Sequence, residues 1–553
     1  MKEKRKNKNY LINFIRIKKI KDKYLLTTDS GAWILLSKKN LDKLFTYNLS
    51  KKMYDICKKK GIIISKDNIT RLSRLVLERY LHLLVPPSLH IIVLSGRCNL
   101  KCVYCHAASS TIKKKDKDLD EKTAKKILEF IFSVPSPTIN IEFQGGEPLI
   151  NKEILKFIVK EAKRMNKKFK KRINFHLVTN LTLMNKKLLK WLLKENVNIT
   201  TSLDGPKDIH DKNRFYECKC GSTYESVKYW LDFAKNNNLN ISALMVGTRE
   251  SLKDYKKIID EYVRNGLNTI HLKYALKLGF LKDKKKYENI SCDGEKFLDV
   301  WKKSMDYLID LNKKGIEIRE RIATVLLKKI LQNNDPQYLD IRNPCGIVSG
   351  QIVYNYNGDV YCCDEGRSYS LFILGNVKKD NFSSVFFSEE AISLMMASIN
   401  QNYLCDACVY QPYCGLCPVM SYSETNNIIT KLPLSRCKIL KGQFDYIFEK
   451  MMDPSIMKIF EDWVSGWNKN KCEYLNLTKI IIKNYKFKNI KELCDGKRKN
   501  EYIVKTDKSL FCLKSYSLNE KIKKPKRMKI LRTVKNEENF VYKKRKFYLY
   551  YNI

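Results

Sequence analysis

The sequence lacks any uninterrupted apolar run that approaches the length of a membrane span. Its first residues, MKEKRKNKNYLINFIRIKK, contain a broken apolar stretch and no small-residue cleavage site, so we expect no secretory signal. The 553 residues include 18 cysteines, but a disulfide framework is typical of short secreted chains. We therefore expect a cytoplasmic protein with reduced thiols, in which clustered cysteines bind metal or serve catalysis.

Acidic residues are scarce, since 59 Asp and Glu stand against 106 Lys and Arg and give a formal charge of +47. Such a charge could neutralise the phosphates of a nucleic acid. However, the lysines are spread over the whole chain, and the sequence shows no signature of an RNA-binding module. A compositional preference for lysine is the simpler explanation, and an acidic peptide or a tRNA stays open as a partner.

Short strand-like runs alternate with amphipathic helical runs from about residue 120 to residue 275, which predicts an α/β fold with a parallel sheet. Within the strands, polar and apolar residues also alternate. Ile139, Ile141 and Phe143 fall on one face, while Asn140 and Glu142 fall on the other. We predict a curved barrel whose polar face lines a hydrated, ligand-holding lumen. An irregular sheet with one face in solvent is the alternative.

The chain layout predicts four regions. The first is a small α+β module with a hairpin through KYLLTTDSGAWILLS, two helices and then GIIIS. The barrel follows, and after it come a cysteine-rich segment and a basic extension with β-like pieces such as EYIVKTD and KFYLYYNI. Their predicted bounds are 1–86, 87–330, 331–450 and 451–553.

Three cysteines follow the apolar run LHIIVLS at a CxxxCxxC spacing, in the stretch CNLKCVYC. Three thiolates on one loop can hold three irons of a [4Fe–4S] cluster, which leaves the fourth iron open. A zinc ion with three cysteines and a water is the alternative, and His106 could complete a Cys₃His site. The spacing alone leaves these two interpretations comparable.

The neighbouring residues resemble those of the radical S-adenosylmethionine (SAM) enzymes, whose loop is matched by Cys98, Cys102 and Cys105. The resemblance implies a partial (β/α)₆ barrel in which SAM chelates the open iron and Tyr104 lies beside its adenine. In that family, an electron from the reduced cluster cleaves SAM. The resulting 5′-deoxyadenosyl radical abstracts hydrogen from an unactivated carbon.

Further matches lie where barrel strands end, and this is where α/β barrels place their ligands. The GGEP turn resembles the turn that meets the methionine amino group of SAM, because glycines admit backbone carbonyls and Glu147 complements the charge. SLDGP and HDKNR resemble stretches that contact the ribose and carboxylate. Each match alone could also be an ordinary capped turn. The implied SAM contacts, besides Tyr104, are Gly145, Gly146, Glu147, Asn180, Ser202, Asp204 and Arg214.

A second group of cysteines resembles the SPASM extension of radical SAM enzymes, which carries two auxiliary [4Fe–4S] clusters. Its last paired spacing, Cx₂C, departs from the more common Cx₃C. Zinc ribbons are the alternative, because paired CxxC units favour zinc in general. The resemblance implies one cluster on Cys405, Cys408, Cys414 and Cys437, and another on Cys345, Cys363 and Cys417.

The second of these clusters lacks a fourth ligand. Cys362 adjoins Cys363, but neighbouring residues of a strand point to opposite faces, so we expect Cys362 to point away from the cluster. An auxiliary iron that is open to a substrate atom is therefore our hypothesis. Asp364 matches the Asp that acts as a base in anaerobic sulfatase-maturating enzymes and is our candidate catalytic residue, with an ordinary surface carboxylate as the alternative.

The stretches IEFQGGEPL, TSLDGPKDIHDKNR, YNYNGDVYCCDE and YQPYCGLCPV look most like the radical SAM maturases of the His-Xaa-Ser peptide system. This resemblance implies a ribosomally made peptide or protein substrate, whose leader could dock on the N-terminal module. It also implies an electron donor such as flavodoxin or ferredoxin. A radical SAM enzyme that acts on RNA and a zinc protein that binds nucleic acid are the competing functions.

Overall fold

The structure is a computed structural model that describes residues 10–332, 335–336, 341–399, 403–429 and 435–465, and five strands between 490 and 552. The chain divides into two compact units, Met1–Phe460 and Glu461–Ile553. Among the described helices, none combines the length and the hydropathy that a membrane crossing requires.

The first unit begins with a small three-stranded antiparallel sheet and three helices. Serines at the starts of the first two helices accept backbone N–H groups, since Ser37 bonds Asn40 N and Ser50 bonds Met53 N. The predicted hairpin, the two helices and the GIIIS strand are confirmed. The elements are β1 (Leu11–Ile12), β2 (Arg16–Ile20), β3 (Lys23–Thr27), β4 (Trp33–Ser37), α1 (Lys38–Phe45), α2 (Lys51–Lys59), β5 (Ile63–Ile64) and α3 (Ile69–Tyr80).

Strands and helices then alternate as the sequence predicts. The elements are β6 (Leu89–Ser95), α4 (Glu121–Ser133), β7 (Thr138–Gly145), α5 (Lys152–Phe169), β8 (Arg172–Val178), α6 (Lys186–Lys194), β9 (Val197–Ser202), α7 (Lys207–Asn213), α8 (Thr223–Asn236), β10 (Ile241–Gly247), α9 (Tyr255–Arg264), β11 (Thr269–Ile270), β12 (Leu272–Tyr274), α10 (Lys284–Ile290), α11 (Gly294–Lys313), β13 (Arg319–Glu320) and α12 (Arg321–Gln332).

Six of these strands form a parallel sheet in the order β12-β10-β9-β8-β7-β6, which confirms the predicted α/β fold. In β7, Ile139, Ile141 and Phe143 are fully buried, whereas Asn140 and Glu142 are half-buried. The alternation therefore separates a packed face from a polar one. The predicted strand NTIHLKY is broken, because β11 pairs with β13 while β12 joins the main sheet.

The cysteine-rich segment extends the same sheet. Its first strand, β14, lies parallel to β6, and two further strands pair antiparallel beyond it. The sheet thus has nine strands that run on without interruption from the barrel. The elements are β14 (Gln351–Tyr354), β15 (Asp359–Tyr361), β16 (Ile373–Asn376), α13 (Phe382–Phe386), α14 (Glu389–Ile399), α15 (Tyr403–Asp406), α16 (Pro418–Thr425), α17 (Ser435–Lys450) and α18 (Pro454–Val464).

The second unit contains an antiparallel sheet of five strands in the order β17-β18-β19-β21-β20. The predicted β-like pieces EYIVKTD and KFYLYYNI both fall on its strands. The elements are β17 (Ile490–Asp495), β18 (Glu501–Thr506), β19 (Leu510–Ser517), β20 (Met528–Thr533) and β21 (Arg545–Asn552).

Candidate active site

The three-cysteine loop leaves the carboxyl end of β6 and is held by backbone hydrogen bonds. Lys101 N donates to Phe215 O at 2.8 Å and Val103 N to Asn213 O at 3.0 Å. Cys98 is 6% exposed, while Cys102 and Cys105 are half-buried. The end of α7 and the residues just after it therefore fix the backbone that carries the three thiols.

The GGEP turn packs directly on this loop. Gly146 N donates to Ser95 O at 2.8 Å, and Glu147 N donates to Arg97 O at 2.8 Å. A Cβ atom on Gly146 would lie 2.2 Å from the Arg97 carbonyl oxygen and 2.9 Å from Ser109 Cβ. Only glycine permits this approach, because the clashing atom belongs to the backbone of the cysteine loop.

Replacing Gly146 with alanine is therefore expected to push the turn away from the cysteine loop and to weaken SAM binding at least tenfold. Equilibrium dialysis of SAM against the anaerobically reconstituted protein measures this loss. Gly294→Ala is the matched control. Gly294 is the first residue of α11, and a Cβ atom there would lie 3.1 Å from Ser435 O. An unchanged SAM affinity in the Gly146 variant would contradict the assignment.

Glu147 is 1% exposed, and its carboxylate accepts hydrogen bonds from within the protein. The donors are the Thr179 hydroxyl at 2.7 Å, Asn180 N at 2.8 Å and Leu149 N at 2.9 Å. Burial raises the pKa of Glu147 to about 7, although these bonds oppose the rise. Glu147 thus ties the GGEP turn to the end of β8, besides the SAM contact that the resemblance implies.

Asn180 and Ser202, two further predicted contacts, lie at the ends of neighbouring strands. Asn180 Nδ2 donates to Asn99 Oδ1 at 3.1 Å and lies 3.9 Å from Cys98 Sγ, so it contacts the cysteine loop. Ser202 is the last residue of β9 and is half-buried. Both residues are thus at the carboxyl edge of the sheet, where the cysteine loop begins.

Tyr104, Asp204 and Arg214 form a buried network under the loop. The Tyr104 hydroxyl donates to Asp204, and Arg214 Nε lies 3.2 Å from Asp204 Oδ2. Arg214 Nη1 also lies 3.8 Å from Cys102 Sγ, where its permanent charge favours a thiolate. Burial holds the pKa of Tyr104 well above its usual range, so its hydroxyl remains a donor. Asp204 is fully buried and engaged by protein groups, which makes it a positioning residue in this structure.

The same network depends on an uncharged histidine. The Asp204 backbone N–H donates to His210 Nδ1 at 3.3 Å, which requires a nitrogen lone pair. Burial lowers the pKa of His210 to about 4, below the value of 6.5 that it takes when exposed. As the pH falls, His210 takes up a proton in the unfolded chain before it does so in the folded chain. The contribution of His210 to the free energy of unfolding is therefore fully present above pH 6.5 and is lost as the pH falls toward 4.

We expect the wild-type chain to lose about 1.5 kcal/mol more unfolding free energy than His210→Asn between pH 6.5 and pH 5. The asparagine oxygen can keep the acceptor role of Nδ1 without titrating. Urea unfolding of both proteins over this pH range, followed by tryptophan fluorescence, measures the difference. Parallel pH profiles would show that His210 does not carry this dependence.

The auxiliary cysteines gather in the two groups that the resemblance implies. Cys345 and Cys417 lie close enough for their thiols to interact, and Cys417 also interacts with Cys363. In the other group, Cys414 lies within electrostatic range of Cys408 and Cys437, and Cys408 N donates to Cys405 O at 2.9 Å. Across the described residues, no three His, Cys, Asp or Glu side chains converge on a point that could hold one metal ion. Sulfur atoms that bind separate irons of a cluster do not need to converge in this way.

Cys362 does not point away from Cys363, so our expectation from strand alternation is wrong. The two sulfur atoms lie 3.8 Å apart, and both side chains are buried. Strand β15 ends at Tyr361 with a register shift between Val360 and Tyr361, so the two cysteines lie in a bend beyond it. Side chains alternate faces only within a regular strand, and bulges redirect them.

Asp364 meets the cysteine loop through His106. His106 Nε2 lies 3.3 Å from Asp364 Oδ2, so the histidine of the alternative Cys₃His zinc site faces a carboxylate. Arg367 Nη2 lies 2.9 Å from Asp364 Oδ1. Burial alone would raise the pKa of Asp364, but the charges of Arg367 and His106 hold it well below its usual range. The sequence interpretation missed Arg367, whose spacing of three residues from Asp364 was the available signal.

One pair of cysteines is oxidised, so the expectation of reduced thiols throughout the chain is wrong for it. Cys218 and Cys220 form a disulfide next to the cysteine loop. The preceding residue is bound to that loop, since Glu217 N donates to Asn99 O at 3.1 Å and Lys101 Nζ lies 3.3 Å from Glu217 Oε1. The resemblance assigns this pair no role.

Comparison with known proteins agrees with this geometry. Residues 92–262 match the Radical SAM superfamily, and residues 345–409 match the SPASM iron–sulfur cluster-binding domain. The chain is 25% identical over 380 residues to the cysteine-type anaerobic sulfatase-maturating enzyme of Clostridium perfringens, which covers 66% of this chain and 98% of that enzyme. It is 24% identical over 344 residues to the radical SAM cyclopropyl synthase TigE of Paramaledivibacter caminithermalis, which covers 59% of this chain and 66% of that enzyme.

The fold is similar to that of native anSMEcpe with bound AdoMet, with a TM-score of 0.59 and 22% identity over 68% of this chain and 100% of that chain. The chain therefore contains a radical SAM domain followed by a SPASM domain and is a radical SAM enzyme of the SPASM type. Within that class it is related to the anaerobic sulfatase-maturating enzymes.

The residues present fit the cofactors of these two domains, which are [4Fe–4S] clusters and SAM. Three thiols stand on one loop, the half-buried Arg214 adjoins one of them, and two groups of thiols gather in and just after the segment that matches the SPASM domain. Soft thiolate donors suit iron–sulfur clusters. The SAM cluster would be held by Cys98, Cys102 and Cys105.

Proposed function

We propose that this chain modifies a side chain or the backbone of a ribosomally synthesised peptide or protein, as a maturase close to those of the His-Xaa-Ser system. The observation that carries the proposal is the contact of His106 with Asp364. His106 follows the third cysteine of the loop, and Asp364 follows Cys363, so a substrate beside Asp364 would also lie beside the radical SAM cluster. A relative that matures sulfatases, and the fold neighbour solved with a bound Cp18Cys peptide, support a peptide substrate.

When bound to the reduced cluster, SAM supplies a radical that removes a hydrogen atom from the substrate. The chain's own residues orient SAM and handle the substrate proton. Glu147 holds the GGEP turn against β8, and Arg214 places a positive charge beside Cys102. Asp364 stays ionised between Arg367 and His106, and its side chain is 19% exposed, so its carboxylate is the proposed acceptor of a substrate proton.

The N-terminal module is the proposed docking site for a leader peptide. It is anchored on the SPASM region, because Lys18 Nζ lies 2.5 Å from Asp445 Oδ1 and Lys21 Nζ lies 2.8 Å from Glu449 Oε1. The Tyr413 hydroxyl also donates to Gly31 O at 3.0 Å. A leader that adds a strand to the β2-β3-β4 sheet would be held near the auxiliary cysteines.

The proposal extends to the domain bounds and to the partners. Residues 1–86 would dock the leader, 87–330 would form the barrel, 331–450 would hold the auxiliary clusters, and 451–553 would form a basic extension of unassigned role. We also propose a cytoplasmic location and flavodoxin or ferredoxin as the electron donor.

The test combines the anaerobically reconstituted protein with dithionite, SAM and a short precursor peptide encoded next to it. The proposal expects 5′-deoxyadenosine together with a peptide of altered mass. Tight tRNA binding that weakens steeply with salt, with no peptide product, would favour the RNA-modifying alternative. A colourless protein loaded with zinc would remove both radical functions.

A further inference from the structure

Cys362 is a buried thiol next to the auxiliary cysteines, and the family resemblance gives it no role. It is fully buried, and its sulfur lies 3.8 Å from that of Cys363. The two residues lie in the bend after β15, where both sulfur atoms come near Gly366. A buried free thiol commonly packs as a small apolar side chain, so the contacts around these two sulfur atoms decide whether they have another role.

The following turn closes over both sulfur atoms. Gly366 N donates to Cys363 Sγ at 3.3 Å. A Cβ atom on Gly366 would lie 2.8 Å from Cys362 Sγ and 3.5 Å from Cys363 Sγ, so glycine leaves the space in which the two sulfurs stand. N–H groups that donate to sulfur stabilise the thiolate form that metals bind.

The segment that carries Cys345 is bound to the same bend. Val348 N donates to Cys362 O at 3.0 Å, which brings the turn after Cys345 against Cys362. Asn343 Nδ2 donates to Gln411 O at 2.9 Å, which ties the segment of Cys345 to the segment of Cys417. Cys417 interacts with both Cys345 and Cys363. Four thiols from three separate segments are therefore gathered, and four is the number that a closed [4Fe–4S] cluster requires.

We propose that Cys362 is the fourth ligand of the auxiliary cluster that Cys345, Cys363 and Cys417 hold. Ligation would exchange the S–H bond of Cys362 for an Fe–S bond, and the proton would leave to solvent. Adjacent cysteines would bind different irons, so cluster binding would require the Cys362 and Cys363 sulfurs to separate from their present 3.8 Å. This closed cluster replaces our hypothesis of an auxiliary iron open to substrate. It does not depend on the identity of the substrate.

The test uses the full-length chain with Cys98, Cys102 and Cys105 replaced by alanine, so that only auxiliary clusters remain. A cubane with three cysteine ligands loses its open iron under limited ferricyanide oxidation and gives a three-iron signal in electron paramagnetic resonance. In this background, Cys362→Ala is expected to raise that signal at least tenfold. Cys57→Ala is the control, because it removes an equally buried thiol in the N-terminal module.

A three-iron signal that is already large in the background and is unchanged by Cys362→Ala would overturn the proposal. Cys362→Ser provides a second measurement that depends less on packing, because a serine oxygen can still bind iron. We expect the serine variant to keep its iron and to show one altered iron site in its Mössbauer spectrum. A Mössbauer spectrum identical to that of the background would overturn the proposal independently.

Discussion

Replacing Cys102 with alanine is expected to abolish 5′-deoxyadenosine formation. The iron content of the reconstituted protein should fall from about twelve to about eight atoms per chain, because one of three cubane clusters is lost. The Cys102 sulfur lies 3.8 Å from Arg214 Nη1. Cys102 is the only cysteine between Cys98 and Cys105, so no neighbouring thiol of the loop can replace it. Iron analysis and chromatography of SAM reaction products measure both effects.

Cys57→Ala is the control for this experiment, since it removes a fully buried thiol far along the chain from the loop. It should retain both the iron content and the SAM cleavage of the wild type. If Cys102→Ala still cleaved SAM at the wild-type rate, the loop would not hold the radical SAM cluster. The assignment of Cys98 and Cys105 would then fail as well.

Replacing Asp364 with asparagine is expected to lower the modified peptide at least a hundredfold while SAM cleavage continues. Asparagine keeps the size of the side chain but cannot accept a proton as a carboxylate does. The carboxylate lies between Arg367 at 2.9 Å and His106 at 3.3 Å, so it borders the cysteine loop without being one of its ligands. Mass spectrometry of the peptide and quantification of 5′-deoxyadenosine measure the two rates.

Asp359→Asn is the matched control, because Asp359 lies in the same segment but bonds Asn357 and Asn376 instead. It should leave the product yield within about twofold of the wild type. The pKa of Asp364 lies well below its usual range, so the wild-type rate should show no protonation of this carboxylate at pH 3.8, where an ordinary aspartate is half protonated. Normal peptide modification by Asp364→Asn would refute its role as the proton acceptor.

The barrel could be predicted from the sequence because the pattern that defines its strands is formed by neighbouring residues. A polar lumen and a packed outer face require side chains to alternate along each strand, and this alternation is visible in the sequence of β7. Thr138–Gly145 and Arg172–Val178 form strands where the pattern places them. The sixth strand departs from prediction because two short pieces pair with different partners, and strand pairing depends on distant residues.

The site could be predicted only in part, because its long-range hydrogen bonds leave no local pattern. Glu147 bonds Thr179 and Asn180, and Tyr104 donates to Asp204 a hundred positions along the chain. These hydrogen bonds determine which polar side chains of the site are already engaged within the protein and which could contact a ligand. Strand alternation likewise failed at Cys362, because it holds only as far as the strand continues and β15 ends at Tyr361.

Strand β14 has a consequence for how the protein can be divided. It pairs with β6 along Gln351–Tyr354, on the side of β6 that faces away from β7. A fragment that stopped before residue 340 would leave the backbone N–H and C=O groups of β6 without these partners. Such an open edge is a template for pairing between molecules, so the shortened barrel would tend to aggregate. The auxiliary region thus protects the barrel from self-association while it positions its own thiols.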